Sequence, residues 1–197
     1  MRFDGFHDLA RLVDRDLTLV APSAWMIDDV LLACRHSASV GDACSTATRA
    51  QLFDFIQAAP RGHDPGDPFL GRLPAYHFWM RMADPTPVPV RMAGGVSLRI
   101  GDNDNIQRYI GHVGYGVYPP ARGHHLAERA VKLLLPLARL HGIELLWITC
   151  NPENLASRRT CERLGATLVE QVRIPESHPL YQRGERWKCR YKLETTV

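Results

Sequence analysis

His112–Ala166 reads HVGYGVYPPARGHHLAERAVKLLLPLARLHGIELLWITCNPENLASRRTCERLGA, and its hydrophobic rhythm changes three times along its length. His112 to Tyr118 mixes β-branched and aromatic residues with two glycines and runs into Pro119 and Pro120, which predicts a strand ended by a turn. Leu126, Ala130, Leu133, Leu134, Leu137 and Leu140 then fall on one helical face, and Gly142 closes that helix. Ile143 to Cys150 suits a short buried strand. Asn151 to Asn154 turns into a second helix from about Leu155 to Leu164, stopped by Gly165. The order is strand, helix, strand, helix. Pro136 interrupts the longer helical pattern, where a proline costs roughly 3 kcal/mol. The apolar face continues past it, so one kinked helix is expected.

Chemistry enters at the first strand-to-helix junction. A helix N-terminus carries unpaired N–H groups and a partial positive charge, so a short turn feeding it holds phosphate. Arg122 brings a full charge and a forked donor to the same place. Neither the GxxxxGK[ST] loop nor the GxGxxG turn of nucleotide folds occurs in the chain.

These residues resemble the acetyl-coenzyme A motif of the GNAT N-acetyltransferase superfamily, and within it a bacterial subgroup of predicted acetyltransferases. The matching pieces are Val117-Tyr118-Pro119, the turn Arg122-Gly123-His124-His125-Leu126-Ala127, the strand Ile143 to Cys150, and Asn154-Leu155-Ala156-Ser157, in the family's order. The resemblance implies acetyl-CoA as acyl donor, held by Tyr115, Val117, Arg122, Gly123, His124, His125, Leu126, Ala127, Asn154, Ser157 and Arg158. It also implies that the pantetheine arm lies along the strand bearing Gly114 and Gly116. Two departures stand out. His125 occupies a slot the family gives to glycine, and Cys161 stands seven positions past Asn154, where many members have a tyrosine beside the sulfur.

Length and composition set outer bounds. With 197 residues, 45% hydrophobic and 23% charged, the chain suits a single domain spanning residues 1 to 197 with a full core. A net charge of +3, spread rather than clustered, argues against a nucleic-acid partner and suits an anionic cofactor. Five cysteines without a CxxC or paired framework fit a reducing cytoplasm. The charged N-terminus and the lack of a long apolar run predict neither a signal peptide nor a membrane segment. No metal site is expected, because His124 and His125 diverge at a helical start and lack a third ligand. A monomer or homodimer is expected.

The remaining elements follow from local signals. Leu17 to Ala21 reads as a strand, and Ser23 caps a helix near Ala24 to Ser37. Residues 39 to 47 form a polar loop. Thr48 to Ala59 is a helix stopped by Pro60, and 60 to 68 is a Pro/Gly/Asp loop. Tyr76 to Met82 and Val90 to Ile100 are strands, the second with a bend or bulge at Gly94-Gly95, and residues 101 to 105 are a polar turn. Thr167 to Arg173 and Trp187 to Leu193 complete a mixed, mostly antiparallel sheet with helices on both faces, α+β in sense though filed as α/β.

The function expected is transfer of acetyl from acetyl-CoA to a primary amine, of a small molecule or a peptide, by direct attack in a ternary complex. The amine must shed a proton, and His112 at the strand start is the candidate base, against the alternative of a structural histidine at a strand end. With a cysteine at position 161, three routes remain for the leaving thiolate: Cys161 assists, another phenol such as Tyr115 or Tyr181 replaces it, or no acid is used, which is the route favoured. A catalytically silent relative that binds coenzyme A or another ligand as a sensor is the rival reading.

Overall fold

The computed structural model describes residues 5–7, 12–38 and 47–196. The loop expected over 39 to 47 therefore falls almost wholly outside the described residues. Two antiparallel sheets carry the fold. The larger has the order β1 (Leu12–Asp14), β2 (Leu17–Val20), β4 (Ala75–Met82), β5 (Met92–Arg99), β6 (Val113–Val117), with the two-residue β3 (His63–Asp64) also paired to β4. The smaller has the order β7 (Leu145–Cys150), β9 (Trp187–Glu194), β8 (Thr167–Arg173). The β1 segment was not expected as a strand. It pairs with β2 through a tight turn, and Arg129 ties that turn down with bonds from Nε to Asp14 Oδ2 at 2.6 Å and Nη2 to Asp16 Oδ1 at 2.7 Å.

Alternation along β4 separates two cores. Tyr76, Met80 and Met82 pack with Leu126, Ala130, Leu134 and Leu137 of α3 (Leu126–Leu140). Trp79 packs with Ile27, Val30 and Cys34 of α1 (Ile27–Ala38), and α2 (Arg49–Ala58) leans on the same face through Leu52, Phe55 and Ile56. A period of two in the strand thus places helices on both faces. The α2 helix begins as its sequence says: Thr48 and Gln51 form a reciprocal capping box.

The α3 helix runs unbroken through Pro136, whose missing donor falls on the exposed side. It ends when Ile143 N–H reaches back to Ala138 O at 3.0 Å across Gly142, which takes φ 66°. Leu140, counted on the apolar face, is instead 55% exposed in the last turn. The Gly94 bend is real: a Cβ there would sit 2.1 Å from Gly116 O, and the β4–β5 register shifts at Met80/Arg81 beside it. The connection after β5 is more than a polar turn, since Ile106–Ile110 forms a π-helical turn that buries Ile106 completely.

The decisive feature is the gap between β6 and β7. Among the described residues these neighbours form no ladder, and the two sheets diverge from a single joint. His112 makes that joint: its N–H donates to Trp147 O at 2.7 Å, and its Nδ1 accepts from Trp147 N–H at 2.9 Å. A side-chain nitrogen stands where a ladder would use a carbonyl. Thr149 Oγ1 adds a bond to Tyr109 O at 2.8 Å, and beyond it the strands part.

Candidate active site

Two cavities open from the splay. On the α3 side a groove of about 520 Å³ is lined by Tyr115, Gly116 and Val117 of β6, the turn Ala121–Gly123 with His125, the first residues of α3, and Asn154, Ser157, Arg159 and Arg163 at α4 (Leu155–Arg163). The first turn of α3 has no side-chain cap, so its N–H groups face the groove. Arg122 stands at its mouth with Nε donating to Val117 O at 3.1 Å. Gly116 leaves the strand bare, and a Cβ there would meet nothing within 4 Å, so packing does not require the glycine. A groove with an uncapped helix start, three arginines and an open strand edge fits a diphosphate joined to an extended amide chain.

His125 meets the geometric demand of the glycine slot. It takes φ 55° and ψ 24°, the left-handed region, as N-cap of α3, while its side chain is 57% exposed and lies 4.0 Å from Glu128. Such a conformation in a non-glycine residue costs about 1 kcal/mol. The departure from the family pattern therefore keeps the turn's shape. Asn154 caps α4 as its type predicts, with Oδ1 accepting from Ser157 N–H at 3.0 Å.

Two of the expected cofactor residues lie elsewhere. Arg158 turns away to the smaller sheet, where Nε donates to Tyr191 OH and Nη1 to Pro152 O, both at 3.4 Å. Helical periodicity explains the swap: Arg159 and Arg163, four apart, share the groove face that Arg158 leaves. His124 does not line the groove.

Across the strands lies a second cavity of about 350 Å³, lined by Arg99, Tyr109, Ile110, Val113, Gly114, Thr149, Cys150, Asn151, Leu180, Arg183 and Lys188. The β8–β9 connection walls it, with α5 (Pro179–Gln182) docked by His178 Nε2 on Asn105 Oδ1 at 2.9 Å. Lys188 is anchored by Asn151 Oδ1 at 2.8 Å and by Glu185. A third, smaller hollow beside Phe55, His77 and Ser97 adjoins it at Gly114.

Tyr115, Asn154 and Ser157 line both the groove and the second cavity, so the two meet there. The Tyr115 hydroxyl is 2.8 Å from Ser157 Oγ and 3.9 Å from Cys161 Sγ. Burial pushes its pKa well above the usual phenol value. Cys161 is fully buried, and its thiol donates toward Cys150, which raises the first and lowers the second. A phenol from β6 thus comes within 3.9 Å of the Cys161 sulfur, a placement that sequence spacing alone does not show.

His112 corrects the expectation of a base. It is 2% exposed, lines neither cavity, and its Nδ1 lone pair is taken by Trp147 N–H. The ring is therefore the Nε2–H tautomer, with a further hydrogen bond to the Gly101 backbone, and burial lowers its pKa. Arg99 and Arg183 were missed by sequence reading because nothing local marks them. They become neighbours only through the splay and the β8–β9 connection.

A family model described as an acetyltransferase (GNAT) domain matches residues 18–167. No curated protein matches significantly. Among solved structures, the microcin self-immunity acetyltransferase MccE, in complex with acetyl-CoA and AMP, aligns with TM-score 0.65 at 18% identity over 92% of this chain and 93% of its own. A putative ribosomal-protein-serine acetyltransferase from Vibrio cholerae gives 0.64 at 18% over 93% and 97%. RimL, a ribosomal alpha-N-protein acetyltransferase in complex with coenzyme A, gives 0.63 at 17% over 92% and 96%.

Proposed function

The chain belongs to the GNAT acetyltransferase family, whose acyl donor is acetyl-CoA, and we propose that it acetylates a primary amine held in the second cavity while the donor occupies the groove. The observation that carries this reading is the meeting of groove and cavity at Tyr115, Asn154 and Ser157, which lets two substrates be present at once. Acetyl-CoA supplies an activated acyl group. The chain supplies the rest: the α3 N–H groups and Arg122 bind phosphate, the free edge of β6 aligns the arm, and Tyr115 holds a proton at its hydroxyl oxygen where sulfur departs.

Among the described residues, neither carboxylate nor imidazole lines the second cavity. Lys188 is matched by Glu185, which leaves Arg99 and Arg183 as the cavity's net charge, and like charge lowers the pKa of a bound ammonium. The cavity itself thereby favours the neutral, nucleophilic amine, with its proton passing to water. The rival silent-sensor reading draws on His125 in the glycine slot and on the missing family tyrosine; the left-handed backbone of His125 supports the active reading on the first point.

Incubation with acetyl-CoA and a panel of amines, following thiol release, tests the activity directly. Arg122→Ala is expected to weaken acetyl-CoA binding by about 1.5 to 3 kcal/mol, the scale of a hydrogen bond to a charged group. Calorimetry on both proteins measures it, and equal affinities would remove Arg122 from the site. Cys161→Ala should keep turnover within about tenfold, a barrier change below roughly 1.4 kcal/mol, since the buried thiol is a poor proton donor. A hundredfold loss in a well-folded variant would make Cys161 catalytic.

A further inference from the structure

Of the two cavity arginines that make no ion pair among the described residues, Arg99 is the more buried. It projects from the end of β5 on the same face as Ser97, against Gly114 of β6: a methyl group placed on Gly114 would lie 3.5 Å from Nη2 and 3.6 Å from Nη1. Nη1 donates to the carbonyls of Ile110 at 3.4 Å and Gly111 at 3.2 Å. Among the described residues no carboxylate pairs with Arg99, and its Nε and Nη2 have no hydrogen-bond partner. Burial alone perturbs it, lowering its pKa. A guanidinium taken partly out of water without a counter-ion is costly, and the cost falls when an anion arrives.

The surroundings indicate where that anion comes from. Lys188 is already neutralised by Glu185, whereas Arg99 and the exposed Arg183 leave the cavity net positive. The Nε/Nη2 edge of Arg99 matches the two oxygens of a carboxylate. Gly114 beside it is the chain neighbour of Tyr115, and Arg99, Gly114 and Tyr115 line the one cavity that meets the groove. A group bound at Arg99 therefore shares that cavity with an amine presented at the junction.

We propose that Arg99 selects the acceptor: the substrate is a primary amine that also bears a carboxylate a few bonds away, and that carboxylate pairs with the Arg99 guanidinium. This rests on the acetyl-transfer reading above and adds the chemical class of its acceptor. A free amino acid and a peptide with an acidic residue at its N-terminus present the same group, and the cavity of about 350 Å³ admits either head.

The test uses β-alanine, propylamine as its match without the carboxylate, phosphoethanolamine, and a tripeptide beginning with aspartate. With the wild type, β-alanine or the tripeptide should exceed propylamine in kcat/KM by about tenfold or more, mainly through KM, as loss of a charge-assisted bond predicts. The better of the two identifies the source. Arg99→Gln should abolish the preference while leaving acetyl-CoA affinity unchanged, and Arg99→Lys should restore part of it. In parallel, glutarate titrated into the protein saturated with coenzyme A should bind the wild type at least about tenfold more tightly than Arg99→Gln. A preference for propylamine, or a preference unchanged in a merely less stable Arg99→Gln, would overturn the proposal and leave Arg99 as a brace for the Ile110–Gly111 carbonyls. Phosphoethanolamine winning by about tenfold would overturn the carboxylate assignment. If no amine is acetylated, the transfer reading fails by itself, and glutarate binding still decides the role of Arg99.

Discussion

Replacing His112 with alanine is expected to lower the stability of the fold by about 3 kcal/mol, a fall in melting temperature of roughly 6 to 12 °C for a chain of this size. The cost has two parts: a cavity where a buried ring was, and a Trp147 N–H left without its Nδ1 acceptor in a joint that water does not reach. The sign of the pH dependence follows from burial. The folded protein holds this imidazole neutral with a lowered pKa, whereas the unfolded chain protonates it near 6.5. Its contribution is complete above that value and is lost as pH falls below it. Wild-type melts should therefore drop between pH 7.5 and 5.5, and the variant should drop less steeply. The slope stays above zero, because burial also lowers the pKa of His77 and His178. A variant that melted normally but turned over a hundredfold more slowly, with the acid limb of its rate profile gone, would return His112 to the role of base.

The contrast between that joint and the cofactor groove shows what a sequence can carry. Most groove residues come from two short runs, 115 to 127 and 154 to 163, whose turn, cap and helical face are local properties. The placing of Val117, Arg122, Gly123 and His125 to Ala127 on the groove was legible because proline, glycine and amphipathic spacing act over a few residues. The Asn154 cap was legible for the same reason, whereas which of the adjacent Arg158 and Arg159 faces the groove is a matter of helical phase that the sequence left open. The second cavity draws instead on residues 99, 109 to 115, 149 to 157 and 180 to 188, joined only by tertiary docking. No periodicity reports that Arg99 lacks a counter-ion or that Tyr115 reaches Cys161. His112 was misread for a related cause. A histidine at a strand start offers the same local signal whether its ring faces a substrate or closes a backbone gap, and only the absent β6–β7 ladder distinguishes the two.

Tyr115→Phe is the sharpest test of the chemistry. Against the expectation of departure without an acid stands the proposal that the Tyr115 phenol meets the sulfur: its hydroxyl is at the junction, 2.8 Å from Ser157 Oγ, and burial keeps it protonated far above neutral pH. A group held that way keeps its O–H to donate a hydrogen bond to the departing sulfur over the whole working range, and loss of one such preorganised donor costs about a hundredfold or more in rate. Phenylalanine keeps the ring that packs against the core and removes one oxygen, so folding and acetyl-CoA affinity should stay within about threefold of wild type while kcat falls about a hundredfold. Because a thiolate is a far better leaving group than an alkoxide, the opposite result has a clear meaning. Turnover within about threefold would show that sulfur departs unassisted, and the phenol would then serve only to hold Ser157 and the start of α4 in register. Single-turnover measurements at saturating amine separate the two, since they report the chemical step apart from product release.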